Sequence, residues 1–134
     1  MNGEKFNSCR APQAVGLYPH ARKVGNLLFL SGVGPRRPGT NVIPGVMMDG
    51  QGNPLGHDIE AQCHSVFENV KIILEEAGSH WTTLVDITVF LTNMKRDFDL
   101  PFLLVYLQET IIPFSNPEVE TLCKPSDLYL CSLR

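Results

Sequence analysis

The clearest pattern in the chain lies in its middle. From Asp58 onward, the apolar residues Ile59, Cys63, Val66, Phe67, Val70, Ile73, Leu74 and Ala77 recur at i, i+4, i+7 and i+8, the rhythm of an amphipathic helix. Asp58 is placed to cap the N-terminus, and Glu60 suits the positive end of the dipole. Gly78 follows the last periodic residue, where a left-handed conformation costs glycine little. Such a one-sided stripe must lie on something apolar, so Cys63 and its companions read as core. Glu68, Glu75 and Glu76 read as a solvated or subunit-facing surface.

Two further stretches carry strand patterns. Asn26 to Ser31, "NLLFLS", is apolar on both faces, which predicts a strand covered on both sides. "LVDITVFLT" (84–92) alternates, with Val85, Ile87, Val89 and Leu91 on one face and Asp86, Thr88 and Thr92 on the other. Residues 14–25 hold Gly16, Pro19 and Gly25 and read as an irregular edge segment. Residues 32–56 carry repeated Gly and Pro turn signals, with room for one or two short strands, for instance around Val42–Val46. After Asp99 the pattern degrades, and one short strand, Asp127–Leu133, is predicted near the end. Strand, helix and strand in this order predict an α+β or α/β fold.

The chain has 134 residues, 43% of them hydrophobic, which fits one domain with a real core. Net charge is −3 and there is no Lys/Arg run, so binding of nucleic acid through its phosphates is not expected. No apolar stretch approaches the roughly 18 residues of a membrane span. The N-terminus has no signal-peptide core, so a cytoplasmic location is expected. Four cysteines (Cys9, Cys63, Cys123, Cys131) form no CxxC pair, and the four histidines are scattered. Cys63 and His64 would point about 100° apart on a helix, so no metal site is expected.

"FLSGVGPRRPG" (29–39) carries the candidate chemistry. Ser31 and Gly32 end the apolar run, and Arg36 and Arg37 follow between Pro35 and Pro38. A guanidinium is a planar donor fork for a carboxylate, and flanking prolines stiffen the loop that presents it. Solvated loop arginines are the plainer reading of the same residues.

"AVGLYPHARKVGNLLFLSG" (14–32), "SVFENVKIILEEAG" (65–78) and "LVDITVFLTNMKRDF" (84–98) together resemble the YjgF-type reactive-intermediate deaminase (Rid) family over residues 11–100. "GPRRPG" is similar to its 2-aminomuconate deaminase branch. The resemblance implies a chorismate-mutase-like α+β fold, a six-stranded mixed sheet with two helices on one face. It implies a homotrimer with sites between subunits and no cofactor. The implied reaction is hydrolysis of an enamine or imine acid to a keto acid and ammonia. Carried over by position, the substrate-binding residues are Tyr18, Ser31 and Gly32, with Arg36 and Arg37 as candidates beside them. The family's late carboxylate-clamping arginine and its water-positioning glutamate have no counterpart here. Residues 101–134 depart from the family, as an alternative splice or a shifted frame would produce, and its C-terminal strands are expected to be missing or altered. The expected organisation is a flexible arm (1–10) and one domain (11–134). Three functions follow as expectations: a deaminase, with severe loss of activity expected in this chain without that arginine and glutamate; a catalytically impaired isoform that binds or oligomerises; and a small-molecule binder or ribonuclease-like translation inhibitor, the RNA form of which the acidic charge disfavours.

Overall fold

A computed structural model describes residues 3–97 and 132–133. The chain divides into two compact units, Met1–His80 and Trp81–Arg134. The first is built on an antiparallel sheet in the order β1-β2-β3, with β1 at Glu4–Phe6, β2 at Ala21–Val24 and β3 at Leu27–Leu30. β2 and β3 form a hairpin in which Val24 pairs with Leu27 and Ala21 with Leu30. Its two-residue loop is Gly25-Asn26, and Gly25 has φ 60°, the left-handed value a tight hairpin of this kind needs at its first position. The residues read as an irregular edge therefore supply a strand. The segment expected as a flexible arm supplies β1, which pairs Lys5 with Arg22.

β3 departs from the expectation of two covered faces. Leu28 and Leu30 pack on the core, whereas Leu27 and Phe29 are exposed, Phe29 by 58%. Successive side chains alternate across a strand, so one apolar face turns inward and the other stays open. A second hairpin follows, β4 (Val46–Met48) with β5 (Pro54–His57). Its turn is held by Asp49, whose carboxylate accepts from the Gln51 and Asn53 amides at 2.8 and 2.7 Å. The Asn53 side chain first, and then these amides, hold Asp49 below the usual carboxylate range.

The predicted helix is α1, Ile59–Glu76, within one residue of its expected end. Asp58 caps it as expected, its side chain accepting from the Ala61 amide at 3.2 Å. At the other end the Ser79 amide donates to the Leu74 carbonyl at 2.8 Å and the Gly78 amide to Glu75 at 3.0 Å. Gly78 sits at φ 76°. This is the reciprocal pair that closes a helix on a left-handed residue. Ile73, on the buried side of α1, meets Ala11 and Ala21 to form the core, and Phe6, Leu28, Leu30, Val33 and Ile72 pack around them.

In the second unit Trp81–Thr83 form a 3-10 turn, and β6 (Ile87–Thr88) pairs antiparallel with β7 (Ser132–Leu133). The alternation read over 84–92 survives from Asp86 to Leu91, where Ile87, Val89 and Leu91 are half-buried and Asp86, Thr88 and Phe90 are exposed. Val85 is exposed and breaks it. A single turn, α2, covers Met94–Asp97. The strand expected at Asp127–Leu133 is described only at its last two positions. The divergent tail from residue 101 otherwise lies outside the described residues, as does the state of the C-terminal strands. The architecture is α+β. Among the described residues every ladder is antiparallel, in one three-stranded and two two-stranded sheets rather than a continuous six-stranded one. No helix among the described residues is long and apolar enough to cross a membrane.

Because Ile73 is 1% exposed and central to the core, Ile73→Ala is expected to cost about 2–5 kcal/mol, read as a lowered midpoint in urea. Asp58→Ala is expected to cost about 1 kcal/mol by the same measurement.

Candidate functional site

A cleft of about 130 Å³ opens in the first unit. One wall is the loop before β2, with Pro12, Gln13, Ala14, Val15, Tyr18 and His20. The other is the loop after β3, with Ser31 to Gly34 and Arg36, and Ile73 of α1 forms the floor. This is smaller than the roughly 300–1,000 Å³ of sites for drug-sized ligands.

Both walls hang on one face of α1. Ser65 Oγ donates to the Pro35 carbonyl at 2.7 Å. Four residues on, Asn69 Nδ2 donates to the carbonyls of Gly34 and Arg36 at 3.0 and 2.8 Å. Ile73 comes next, and then Glu76, which reaches the other wall. Its carboxylate accepts the Ser8 hydroxyl and the Cys9 and Arg10 amides, the latter two both at 3.3 Å. Ser8 Oγ in turn accepts from the Ala11 amide at 2.8 Å. Residues three and four apart share a helix face, so this series is one stripe. Glu76, read from the sequence as a surface group, is half-buried against the 8–11 turn. The Ser8 hydroxyl first, with the Arg10 and Cys9 amides and the Arg10 charge behind it, holds it below the ordinary glutamate value, against burial, which pushes it up.

His20 braces the first wall from inside. Its Nε2 lies 2.9 Å from the Pro12 carbonyl, which can only accept, so that nitrogen carries the proton. Nδ1 then accepts from the Ser8 amide at 3.1 Å. With both nitrogens engaged, His20 holds the loop and is not free to move protons for a ligand.

Four of the five residues singled out in the sequence come together. Tyr18, Ser31, Gly32 and Arg36 line the cleft, and Arg37 does not. The Ser31 hydroxyl donates to the Pro19 carbonyl at 2.7 Å, and its amide donates to His20 at 3.0 Å, so the serine ties the two walls together. Its oxygen keeps only lone pairs for the cleft. Arg36 Nη2 donates to the Gln13 carbonyl, spanning the cleft from one wall to the other. A guanidinium has five N–H donors, so most of the fork stays available. The Arg37 amide and carbonyl close a turn with Val42 and Thr40, and its side chain is exposed. Among the described residues no carboxylate lines the cleft, and no group of His, Cys, Asp or Glu could hold a metal ion.

Sequence reasoning missed Ser65, Asn69, Glu76 and His20. The first two were legible in principle, as polar residues spaced i, i+4 inside an apolar stripe. Nothing local marks His20, because its partners, Ser8 and Pro12, are set by the fold.

Comparison with known sequences places this α+β chain in a family. The model of the family described as Endoribonuclease L-PSP matches residues 8–100, and the chain belongs to that family, the YjgF-type Rid proteins. The RutC family protein of Pyrococcus abyssi is 39% identical over 86 residues, which cover 64% of this chain and 59% of that protein. Protein HMF1 of Saccharomyces cerevisiae is 32% identical over 86 residues, covering 64% of this chain and 57% of its own length. The chain thus spans about three fifths of these relatives. A crystal structure from Thermotoga maritima superposes with a TM-score of 0.55 at 27% identity, covering 79% of this chain and 76% of that one. YyfA of Yersinia pestis, of the Rid family, shares the fold with a TM-score of 0.54 at 24% identity, over 81% of this chain and 79% of its own.

The Glu76 contacts predict a pH dependence with a definite sign. A carboxylate whose folded value is lowered adds stability above the ordinary glutamate range and loses it as pH falls through the lowered value. Glu76→Gln should flatten this acid limb of a stability-against-pH curve and leave its neutral slope unchanged. An unaltered acid limb would count against the assigned role.

Proposed function

We propose that the cleft binds the carboxylate of a small enamine or imine acid and that the protein hydrolyses it to a 2-oxo acid and ammonia. Membership of the family supports a deaminase-like or endoribonuclease-like role in general terms. The observation that carries the finer reading is Arg36, among the described residues the one cationic side chain lining a cleft that also offers the Gly32 backbone and the Tyr18 ring. Arg36 grips the carboxylate with the donors that Gln13 leaves over. Val15, Val33 and Ile73 give the substrate's carbon chain an apolar wall. An enamine first takes a proton from solvent at its β-carbon to become the iminium. Water adds to the iminium carbon and gives up a proton, the carbinolamine nitrogen takes one up, ammonia leaves, and the carbonyl forms on loss of the hydroxyl proton. The cleft residues orient the substrate and stabilise its charge.

The 2-aminomuconate substrate is the sharper form of the proposal. Its second carboxylate calls for a second cation. Arg37 is the nearest candidate in sequence, although its side chain lies outside the cleft lining. A cytoplasmic homotrimer with sites between subunits belongs to the same proposal. The open apolar face of β3, with Leu27 and Phe29, supports self-association. Light scattering should then read a mass three times that of one chain, and a monomer would refute the trimer.

Purified protein should speed ammonia release from imino acids generated in place by an amino-acid oxidase. Arg36→Ala should lower kcat/KM by roughly 10–100-fold, the range for a lost charge-assisted pair. Running 2-aminomuconate beside a monocarboxylic imine decides the substrate class. Binding without turnover would identify a catalytically impaired binding module, the alternative the sequence raised. No ammonia release and no binding would end the proposal.

A further inference from the structure

We infer that Asn69 is a positioning residue of this cleft, setting where the Arg36 guanidinium stands. The inference rests on reading Arg36 as the carboxylate anchor. Asn69 is 1% exposed and does not line the cleft, and its side chain bonds the loop that does. Its Nδ2 has two hydrogens, and both are used, one on the Gly34 carbonyl and one on that of Arg36 itself. The two N–H bonds of a planar carboxamide diverge at a fixed angle, so they set the spacing of the two carbonyls. Ser65 holds the carbonyl between them, that of Pro35. Three successive peptide oxygens are therefore anchored to one face of α1, the longest element of the unit.

Arg36 is thereby held at both ends. Asn69 fixes its backbone, and the Gln13 carbonyl takes one N–H at its tip. Little freedom remains for the stem between them, so the remaining donors are presented in a set orientation. No other residue type of similar size does this job. Leucine would leave two carbonyls without donors, and aspartate would set acceptors against acceptors. Asparagine is also a poor helix former, so an apolar residue would serve α1 itself better at a buried position.

The test uses the full chain with pyruvate as the probe, its affinity read by calorimetry well below each variant's melting temperature. Asn69→Ala is expected to weaken pyruvate about tenfold, a loss consistent with a small misplacement of a binding group. Val70→Ala, buried next to it on α1 but without a hydrogen bond to the loop, serves as the stability control and should keep wild-type affinity. In an Arg36→Lys background, where a point charge retains residual binding, Asn69→Ala should cost little more. An equal loss in both backgrounds, or a matching loss in Val70→Ala, overturns the inference. Unchanged affinity in Asn69→Ala together with lost affinity in Arg36→Ala also overturns it, and leaves the carboxylate reading standing. Unchanged affinity in Arg36→Ala defeats the carboxylate reading itself. If Asn69→Ala does not fold, Asn69→Ser, whose hydroxyl has one proton for the two carbonyls, should weaken pyruvate by roughly twofold or more; wild-type affinity there overturns the inference.

Discussion

The cleft depends on hydrogen bonds that side chains of α1 donate to or accept from two irregular loops. Loops carry peptide groups that no ladder satisfies, and a buried peptide group without a partner costs about 1–3 kcal/mol. Here the helix supplies the partners. Ser65 and Asn69 take the carbonyls of the 34–36 segment, and Glu76 takes the Ser8 hydroxyl and the amides of the 8–10 turn. Between them Ile73 contributes the apolar floor and the centre of the core. A single rigid rod thus builds both walls and the base. Its own ends are secured by the Asp58 cap and the Gly78 closure, so its register against the loops is fixed.

The two walls are then sewn to each other. Ser31 donates to Pro19, Arg36 to Gln13, and His20 bonds back to Ser8 and Pro12. These bonds decide which polar groups can meet a ligand. Ser31 and His20 have their protons engaged within the walls, whereas Arg36 has donors left over. The electrostatics of the cleft are therefore dominated by one guanidinium set among Val15, Val33 and Ile73. Of the paired arginines, Arg36 lines the cleft and Arg37 faces solvent.

Much of this was legible in the sequence wherever a single periodicity governed. α1, its cap and its terminal glycine could be read because 3.6-residue spacing, an acidic cap and glycine all point the same way. The β2–β3 hairpin was legible too, since Gly25-Asn26 is a two-residue turn signal, but the neighbouring Gly16 and Pro19 obscured it. The covered-strand reading of "NLLFLS" failed because continuous apolarity does not say whether a partner covers the second face. Of the site, the arginine loop stood out by composition. Asn69 was hidden by the strength of the apolar stripe around it. His20 and Glu76 gain their roles from partners 12 and 68 residues away, which no local pattern records.

The most direct test of the central claim, that Arg36 is the anion anchor of an α1-organised cleft, is an NMR titration of its Nε–Hε resonance. Pyruvate and its uncharged methyl ester would be added in turn to the full chain. A saturable shift of the Arg36 resonance with pyruvate is expected, with little change with the ester and an unmoved Arg37. Equal responses to both ligands, or a shift at Arg37 with Arg36 silent, would contradict it.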